Sequence, residues 1–467
     1  MTGRHNLSSC GSHKGTVTNG PGEEGKLMVK KYVSSKSTKF YPDDPNGEAL
    51  TLIFGDEVDS TEQLVGDKER VVYRRRVGLV KKNQLMLEHP LEMYFVDVGQ
   101  GDSTFIVTPA GKNILIDGGS GNEAFQFLVW KYRLDEEGST GVDIDLLVLT
   151  HADGDHIKGL AAIIEHDLIR VHEIVHSGIA KFSSGFNTEL GDMQGPDDDE
   201  VLVTRHDGIQ DLQGADLNTN VENWFDAVKR EVEQEGMVYR SVCVDTGIID
   251  VGDPSIALRV LGPKLLTRPG QAHPVYPWFS NPSHTVNGHS VVLRLDYKAF
   301  RVLLPGDLNE DGVEHLNTNA DFAAQCDAHL LKAPHHGSHE YCDEFLKAVN
   351  AQITVVSSGE TPDHGHPRAN FMAAAGRWSR SNEPLLFSTE LVAQFSVDEN
   401  SEGAADDLVI DPTDAAKLVA TRQSFKKNLN GIINVRTDGT YIYCARRVAA
   451  GYHFVTYKQK AAARSQP

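Results

Sequence analysis

From residue 91 onward the chain alternates short, wholly apolar runs with amphipathic stretches, and it does so twice. In the first round Met93-Tyr94-Phe95-Val96-Asp97-Val98, Ser103-Thr104-Phe105-Ile106-Val107 and Asn113-Ile114-Leu115-Ile116-Asp117 read as three strands joined by glycine turns. Residues 124–134 have helical spacing, residues 144–150 form another apolar strand, and residues 159–167 read as the helix behind it. The second round holds strands over 290–295, 300–304, 328–332 and 353–357. Apolar runs without a polar alternate belong to strands covered on both faces. Interleaved with helices in two rounds, they predict a layered α/β sandwich.

The flanks follow other rules. Residues 1–25 are rich in Gly, Ser, Thr and His without apolar period and read as a disordered leader. Residues 26–88 carry short alternating runs (27–29, 50–54, 71–73 and 77–80) separated by turns such as Pro42-Asp43-Asp44-Pro45-Asn46-Gly47, the pattern of a small β-barrel. Its ending, RRRVGLVKKNQL, resembles the last strands of Src-homology-type barrels, modules through which a protein partner can dock. The main domain is expected over 89–384, with a polar insertion at about 177–285. That insertion holds the acidic run Asp197-Asp198-Asp199-Glu200, a helix over 221–235 and a proline-rich loop over 269–282. A connection this long is either a lid over a substrate or a tolerated surface insertion. Residues 385–467 read as an appended extension packing on the main domain: a loop at 401–407, a helix over 413–429, then a hairpin of 431–436 and 440–444 about Thr437-Asp438-Gly439.

Composition narrows the setting. Of 467 residues 40% are hydrophobic and 24% charged, ordinary for a globular protein. No apolar stretch approaches a membrane span and the first residues lack a signal-peptide core, so a cytoplasmic protein without a membrane partner is expected. The five cysteines are scattered without a CxxC pair, which leaves His, Asp and Glu to supply any metal site. A net charge of −21 repels polyanions and argues against a processive duplex nuclease. The basic stretch Lys68, Arg70, Arg74, Arg75, Arg76, Lys81 and Lys82 fits a solvated edge strand better than a nucleic-acid patch.

The densest chemistry is His151-Ala152-Asp153-Gly154-Asp155-His156, directly after the apolar run 144–150. Four metal-competent side chains within six residues would repel or desolvate one another unless a cation shared them. A polar turn with Asp153 or Asp155 as helix cap is the bland alternative, and would serve for one isolated Asp. Further Asp and His residues follow other apolar runs: Asp117 after 114–116, Asp307 in Pro305-Gly306-Asp307, His335 and His336 after 328–332, and His364 and His366 after 353–357. Each alone could be a turn residue; their recurrence at strand ends gathers them along one edge of the sandwich.

The ordered set VDVGQGDS, LIDGG, LTHADGDHIKG, NGHSVVLRL, LLPGDL, KAPHHGSH and GHP resembles the metallo-β-lactamase-fold hydrolases, most of all the soluble hydrolase domain of ComEC-type DNA-uptake proteins, over about residues 91–380. The membrane channel of those proteins has no counterpart in this chain, so the resemblance implies the hydrolase module without the transport role. It implies an αβ/βα four-layer sandwich with two divalent metal ions, Zn or Mn, at one edge. By the same resemblance His151 and Asp153 bind the first ion, Asp155 and His156 the second, Asp307 bridges both, and His366 completes the second site. Asp117 would orient the ligands by hydrogen bonds, while His335 and His336 would contact the scissile phosphate or protonate its leaving oxygen. Two departures stand out: Asp153 replaces the commoner His, and Asn287, with His289 two residues later, occupies the third-histidine region. Carboxylate for imidazole makes the site harder and favours Mn²⁺ or Mg²⁺ relative to Zn²⁺.

The expected activity is that of a phosphodiesterase or nuclease in which a metal-bridging hydroxide attacks phosphorus, on a substrate such as single-stranded DNA or a nucleotide. A β-lactam, thioester or lactone hydrolase on the same fold is the second reading, and a binding protein with a vestigial metal site the third.

Overall fold

The computed structural model describes residues 28–196, 199–319, 321–359, 365–390, 431–448 and 451–458, the last segment and 446–448 by backbone alone. The leader, the loop at 401–407, the helix expected over 413–429, His364, and Asp197 and Asp198 of the acidic run lie outside these residues. The chain divides into two compact units, residues 1–90 and 91–467.

The first unit is a seven-stranded sheet in the order Leu50–Ile53, Ser37–Pro42, Arg76–Lys81, Lys68–Tyr73, Glu57–Val65, Val29–Val33, Leu85–Met86. Alternate residues of these strands, Val33, Phe40, Leu52, Val58, Val71 and Val80, form its core. The basic stretch is not an edge: Lys68–Tyr73 and Arg76–Lys81 are interior strands of the sheet. Lys68, Arg70 and Lys81 lie on the face opposite Val71 and Val80, with Lys68 over the Tyr41 ring and Arg70 paired to Asp43.

The second unit is built on two large sheets. The first, of nine strands, runs Val238–Ser241, Glu173–His176, Leu146–Leu149, Asn113–Ile116, Thr104–Val107, Leu91–Phe95, Ile433–Thr437, Tyr441–Val448, Gly451–Lys458. The second, of seven, runs Ile248–Ile249, Ile256–Gly262, Val292–Tyr297, Phe300–Leu304, Leu330–Lys332, Ile353–Val356, Leu385–Ser388. One apolar core joins residues of both sheets, among them Phe95, Ile114, Val148, Leu258, Leu293 and Val355. The other face of the first sheet (Phe105, Leu115, Leu147) packs with residues of the helices Glu123–Tyr132, Leu160–Ile164 and Thr219–Glu235. The second sheet (Val292, Leu303, Leu331) packs likewise with Glu310–Asn317, Asp343–Val349 and Ala369–Arg377. Burial on both faces explains why these strands lack polar alternation.

Two segments are more integrated than their sequence suggests. Within 177–285, Val238–Ser241 extends the first sheet in parallel to Glu173–His176, and Ile256–Gly262 pairs with Val292–Tyr297 inside the second. The hairpin is no appendage: Ile433–Thr437 pairs antiparallel with Leu91–Phe95 and continues the first sheet. Among the described residues no helix is long and apolar enough to cross a membrane.

In each sheet one block of four strands runs parallel, so their carboxyl ends share an edge. The loops leaving that edge carry the candidate chemistry. Thr150 O accepts a hydrogen bond from Val291 N at 2.9 Å and Gly101 O one from Ser357 Oγ at 2.8 Å, tying the two edges together.

Candidate metal centre

Asp117 follows the Asn113–Ile116 strand in a left-handed turn (φ 59°) and is fully buried. Its Oδ1 accepts from Thr150 N (2.8 Å), and its Oδ2 from Thr150 Oγ1 (2.7 Å). His156 Nδ1 lies 2.8 Å from the same Oδ2, which assigns the proton to Nδ1 and leaves Nε2 with its lone pair. His156 sits in the one-turn helix Gly154–Ile157, whose carbonyl at Asp155 accepts from Asp102 N at 3.2 Å. That approach requires Gly101, where a Cβ would stand 2.2 Å from Asp155 O at φ +130°. His151 Nδ1 is held by Thr150 Oγ1 (3.1 Å) and Ser290 Oγ (3.4 Å), so its Nε2 points away from these partners.

The second sheet brings the opposing ligands. Asp307 N donates to Ser290 Oγ (3.1 Å), and Asp307 Oδ2 stands 3.3 Å from His156 Nε2 and 3.0 Å from His336 Nε2. His336 Nδ1 donates to Ser357 O (3.0 Å), again leaving Nε2 to face carboxylates, with Asp155 Oδ2 at 3.3 Å. His335 and His336 both adopt positive φ (46° and 52°). Left-handed backbone at two consecutive non-glycine residues is strain held by the surrounding fold, a recurrent feature of working sites. Behind them Lys332, also buried, is ion-paired with Asp102, lies 3.6 Å from Asp307 Oδ1 and donates to Gly306 O (3.2 Å).

Burial alone would neutralise these groups; their neighbours prevent it. Desolvation raises the pKa of Asp307, yet His336, His156 and Lys332 outweigh it and hold the carboxyl well below its ordinary range. Asp155 is depressed in the same way by His156 and His336 against its burial, and Asp102 by Lys332 and His336. Conversely, burial disfavours charge on His156 and His336, but Asp307 with Asp117 or Asp102 pushes both well above the usual imidazole value. For His151 desolvation and the nearby His156 win, lowering it to about 4. The carboxylate cluster therefore demands positive charge at the imidazole Nε2 positions, where protons and metal ions compete.

The residues fit a divalent cation. His151 Nε2, His156 Nε2, His336 Nε2 and Asp307 Oδ1 are buried and make no hydrogen bond. Two sets, His151–His156–Asp307 and Asp155–His156–His336, present ligand atoms within 4.8 Å of one another.

The profile of the Metallo-beta-lactamase superfamily matches residues 96–359, more than half of the chain and all of the loops just described. The chain belongs to the metallo-beta-lactamase superfamily. It is also 24% identical over 303 residues to ComE operon protein 3 of Bacillus subtilis (strain 168), a match covering 62% of this chain and 31% of that relative. The chain thus spans about a third of the length of the curated relative it matches.

Within this metallo-beta-lactamase-superfamily site, the structure brings His151, Asp155, His156 and Asp307 together, with Asp117 behind them. Asp153 stands at the margin: its Oδ2 is 4.0 Å from His151 Nε2, while its Oδ1 is 2.7 Å from Lys181 Nζ. The paired histidines separate. His336 joins the buried ligand sets, whereas His335 remains partly exposed at the rim, its Nε2 3.5 Å from Asn287 Nδ2. Asn287, expected in the third-histidine region, keeps a buried Oδ1 without a hydrogen bond. His289 is turned away: its Nε2 bonds Pro277 O (2.8 Å) and its ring stacks on Phe279. His366 does not enter the tight sets; its ring centroid lies 6.2 Å from that of His336 and its Nδ1 3.5 Å from Gln100 Nε2.

Asp102 and Lys332 escaped the sequence reading although each bore the signal used elsewhere. Lys332 is a charge ending the apolar strand Leu330–Lys332, and Asp102 follows the Gly99–Gly101 turn of the VDVGQGDS motif. Thr150, Ser290 and Ser357, which aim the imidazoles, carry no such signal.

Proposed function

We propose that the chain is a metal-dependent hydrolase acting on phosphodiesters, with Zn²⁺ or Mn²⁺ held by His151, Asp153, Asp155, His156, Asp307 and His336. The observation that carries this reading is the turn Pro334–Gly337, which sets one imidazole into the ligand set and leaves the other, His335, at its rim. Divalent cations in such a site supply Lewis-acid activation of water and of a phosphoryl oxygen. The chain's own groups supply the rest. Asp117 fixes the tautomer of His156, Thr150 and Ser290 orient His151, and Lys332 with Asp102 restrains Asp307 and His336. His335, whose pKa burial lowers despite the pull of Asp307, is placed to hydrogen-bond the departing oxygen. The carboxylate-rich ligand set and the Asn at position 287 favour this substrate class over β-lactams, thioesters and lactones. With a chain charge of −21, single-stranded DNA or a nucleotide suits the site better than a duplex.

The test is hydrolysis of bis-p-nitrophenyl phosphate with Mn²⁺ or Zn²⁺, set against nitrocefin and a thioester. Diester turnover that disappears in Asp307→Ala and His156→Ala is the expected result. Turnover of nitrocefin or the thioester alone would overturn the assignment.

A further inference from the structure

Lys181 lies in the segment whose role the sequence left open, in the loop after the Glu173–His176 strand. That strand is the parallel neighbour of Leu146–Leu149, with Leu149 opposite His176, so the loop stands beside the one bearing His151 to His156. Its backbone is fixed: Lys181 O accepts from Asn218 N (3.0 Å), and Ala180 and Phe182 on either side are buried. The side chain alone faces the site, its Nζ 2.7 Å from Asp153 Oδ1 and 3.8 Å from Glu189. It is 18% exposed against 4% for Lys332, which places it at the mouth rather than the floor. Lys158 Nζ and Asn220 Nδ2 flank the same loop, each 3.1 Å from where a Cβ on Gly154 would project.

We infer that Lys181 is a substrate-binding residue, a cationic clamp for the anionic phosphoryl oxygen of a phosphodiester, with Lys158 and Asn220 extending the same rim. The inference rests on the phosphodiesterase reading. Charge explains why such a group is needed. Five carboxylates (Asp102, Asp117, Asp153, Asp155 and Asp307) surround the site, and Lys332 is consumed by Asp102 and Asp307 at its floor. Lys181 supplies positive charge at the mouth, where an incoming anion would otherwise meet Asp153 and Glu189. Were Asp153 to hold a cation, the Lys181 ammonium would lose part of its hold on that carboxylate and be available to an incoming anion.

The experiment compares wild type, Lys181→Gln and Lys181→Arg, all metal-loaded. Bound metal is read by elemental emission, the dissociation constant of inorganic phosphate by calorimetry, and kcat and KM with bis-p-nitrophenyl phosphate. Lys181→Gln is expected to raise both the phosphate Kd and KM about tenfold, more than it lowers kcat, at wild-type metal content, and Lys181→Arg to restore most of the loss. Phosphate Kd and KM within about twofold of wild type, or a loss of metal in proportion to the loss of binding, would overturn the clamp and leave Lys181 a counter-ion of Asp153. If wild type binds metal but does not hydrolyse the diester, the phosphodiesterase reading fails by itself, and the phosphate constants still decide whether Lys181 holds an anion.

Discussion

Replacing Lys332 by Met removes a charge from the floor of the site while keeping a similar unbranched stem. Lys332 and its two partners are each at most 6% exposed at the side chain, so solvent screens little of the interaction. A unit pair at the 3.6 Å separating Nζ from Asp307 Oδ1 attracts by about 5 kcal/mol at an effective dielectric of about 20. The closer contact with Asp102 adds to this, and desolvation of the ammonium offsets part of both. Breaking a buried pair by removing one partner typically costs about 3–5 kcal/mol, because the other charge is left uncompensated. Here two carboxylates lose one of their cations while His156 and His336 remain beside them, so Lys332→Met is expected to lose about 3 kcal/mol in metal-free protein, the low end of that range and a large share of the roughly 5–15 kcal/mol that holds a domain folded. The loss is expected to shrink when metal is present, because a cation bound beside Asp307 supplies the missing charge and so stabilises the variant more than the wild type. Urea unfolding with chelator and with saturating Mn²⁺ reads both quantities. A metal-free loss below about 1 kcal/mol, or an equal loss with and without metal, would refute the counter-ion reasoning.

Asp117→Asn sets an amide NH₂ against donors that now share one carboxylate, and should weaken metal binding about 10- to 100-fold; a chelator-competition titration checks it, and an unchanged Kd would show that Asp117 does not orient His156. In the metal-free protein the folded pKa values of His156 and His336 lie well above the unfolded imidazole value, so their stabilisation is complete below about pH 6.5 and disappears as pH rises through the folded values. Thermal unfolding in chelator should therefore fall between neutral and alkaline pH while the metal-loaded protein holds, and parallel curves would contradict the assignment of protons to those positions. His289→Ala removes a ring stacked on Phe279 and the bond to Pro277 O, costing about 1–3 kcal/mol at unchanged metal content; loss of metal would return His289 to the site.

Much of the fold is readable where local pattern and burial coincide. The strands preceding Asp117, His151, Asp307 and His335 are mostly apolar because both faces are covered, and a polar residue soon after each marks the edge where the site gathers. Ile256–Gly262 was hidden because Ala257 and Arg259 dilute its apolar run and a polar segment surrounds it. Nor could the place of Ile433–Thr437 be read locally: its partner is Leu91–Phe95, more than three hundred residues earlier, and a hairpin's own pattern does not say which sheet it joins.

The site divides along the same line. Ligand-type residues crowd into short motifs because one loop must present several atoms to one point, so His151, Asp155 and His156 were legible from spacing alone. What aims them is non-local. Asp117 reaches His156 across 39 positions, Ser290 reaches His151 across 139, and Lys332 lies beside Asp102 only because two sheets meet at one edge. The same principle explains the two pairs of neighbours whose members diverge. His335 and His336 are adjacent, yet successive left-handed residues send their rings in different directions, one into the ligand set and one to the rim. Asn287 and His289 flank the end of the short helix Pro282–Gly288, and its geometry turns the amide toward His335 while the imidazole faces Pro277 and Phe279. A ligand's type is a property of the residue, whereas its direction is a property of the backbone beneath it. The metal-binding character of this chain could therefore be read before its coordination could, and Lys181, with no motif to announce it, only after both.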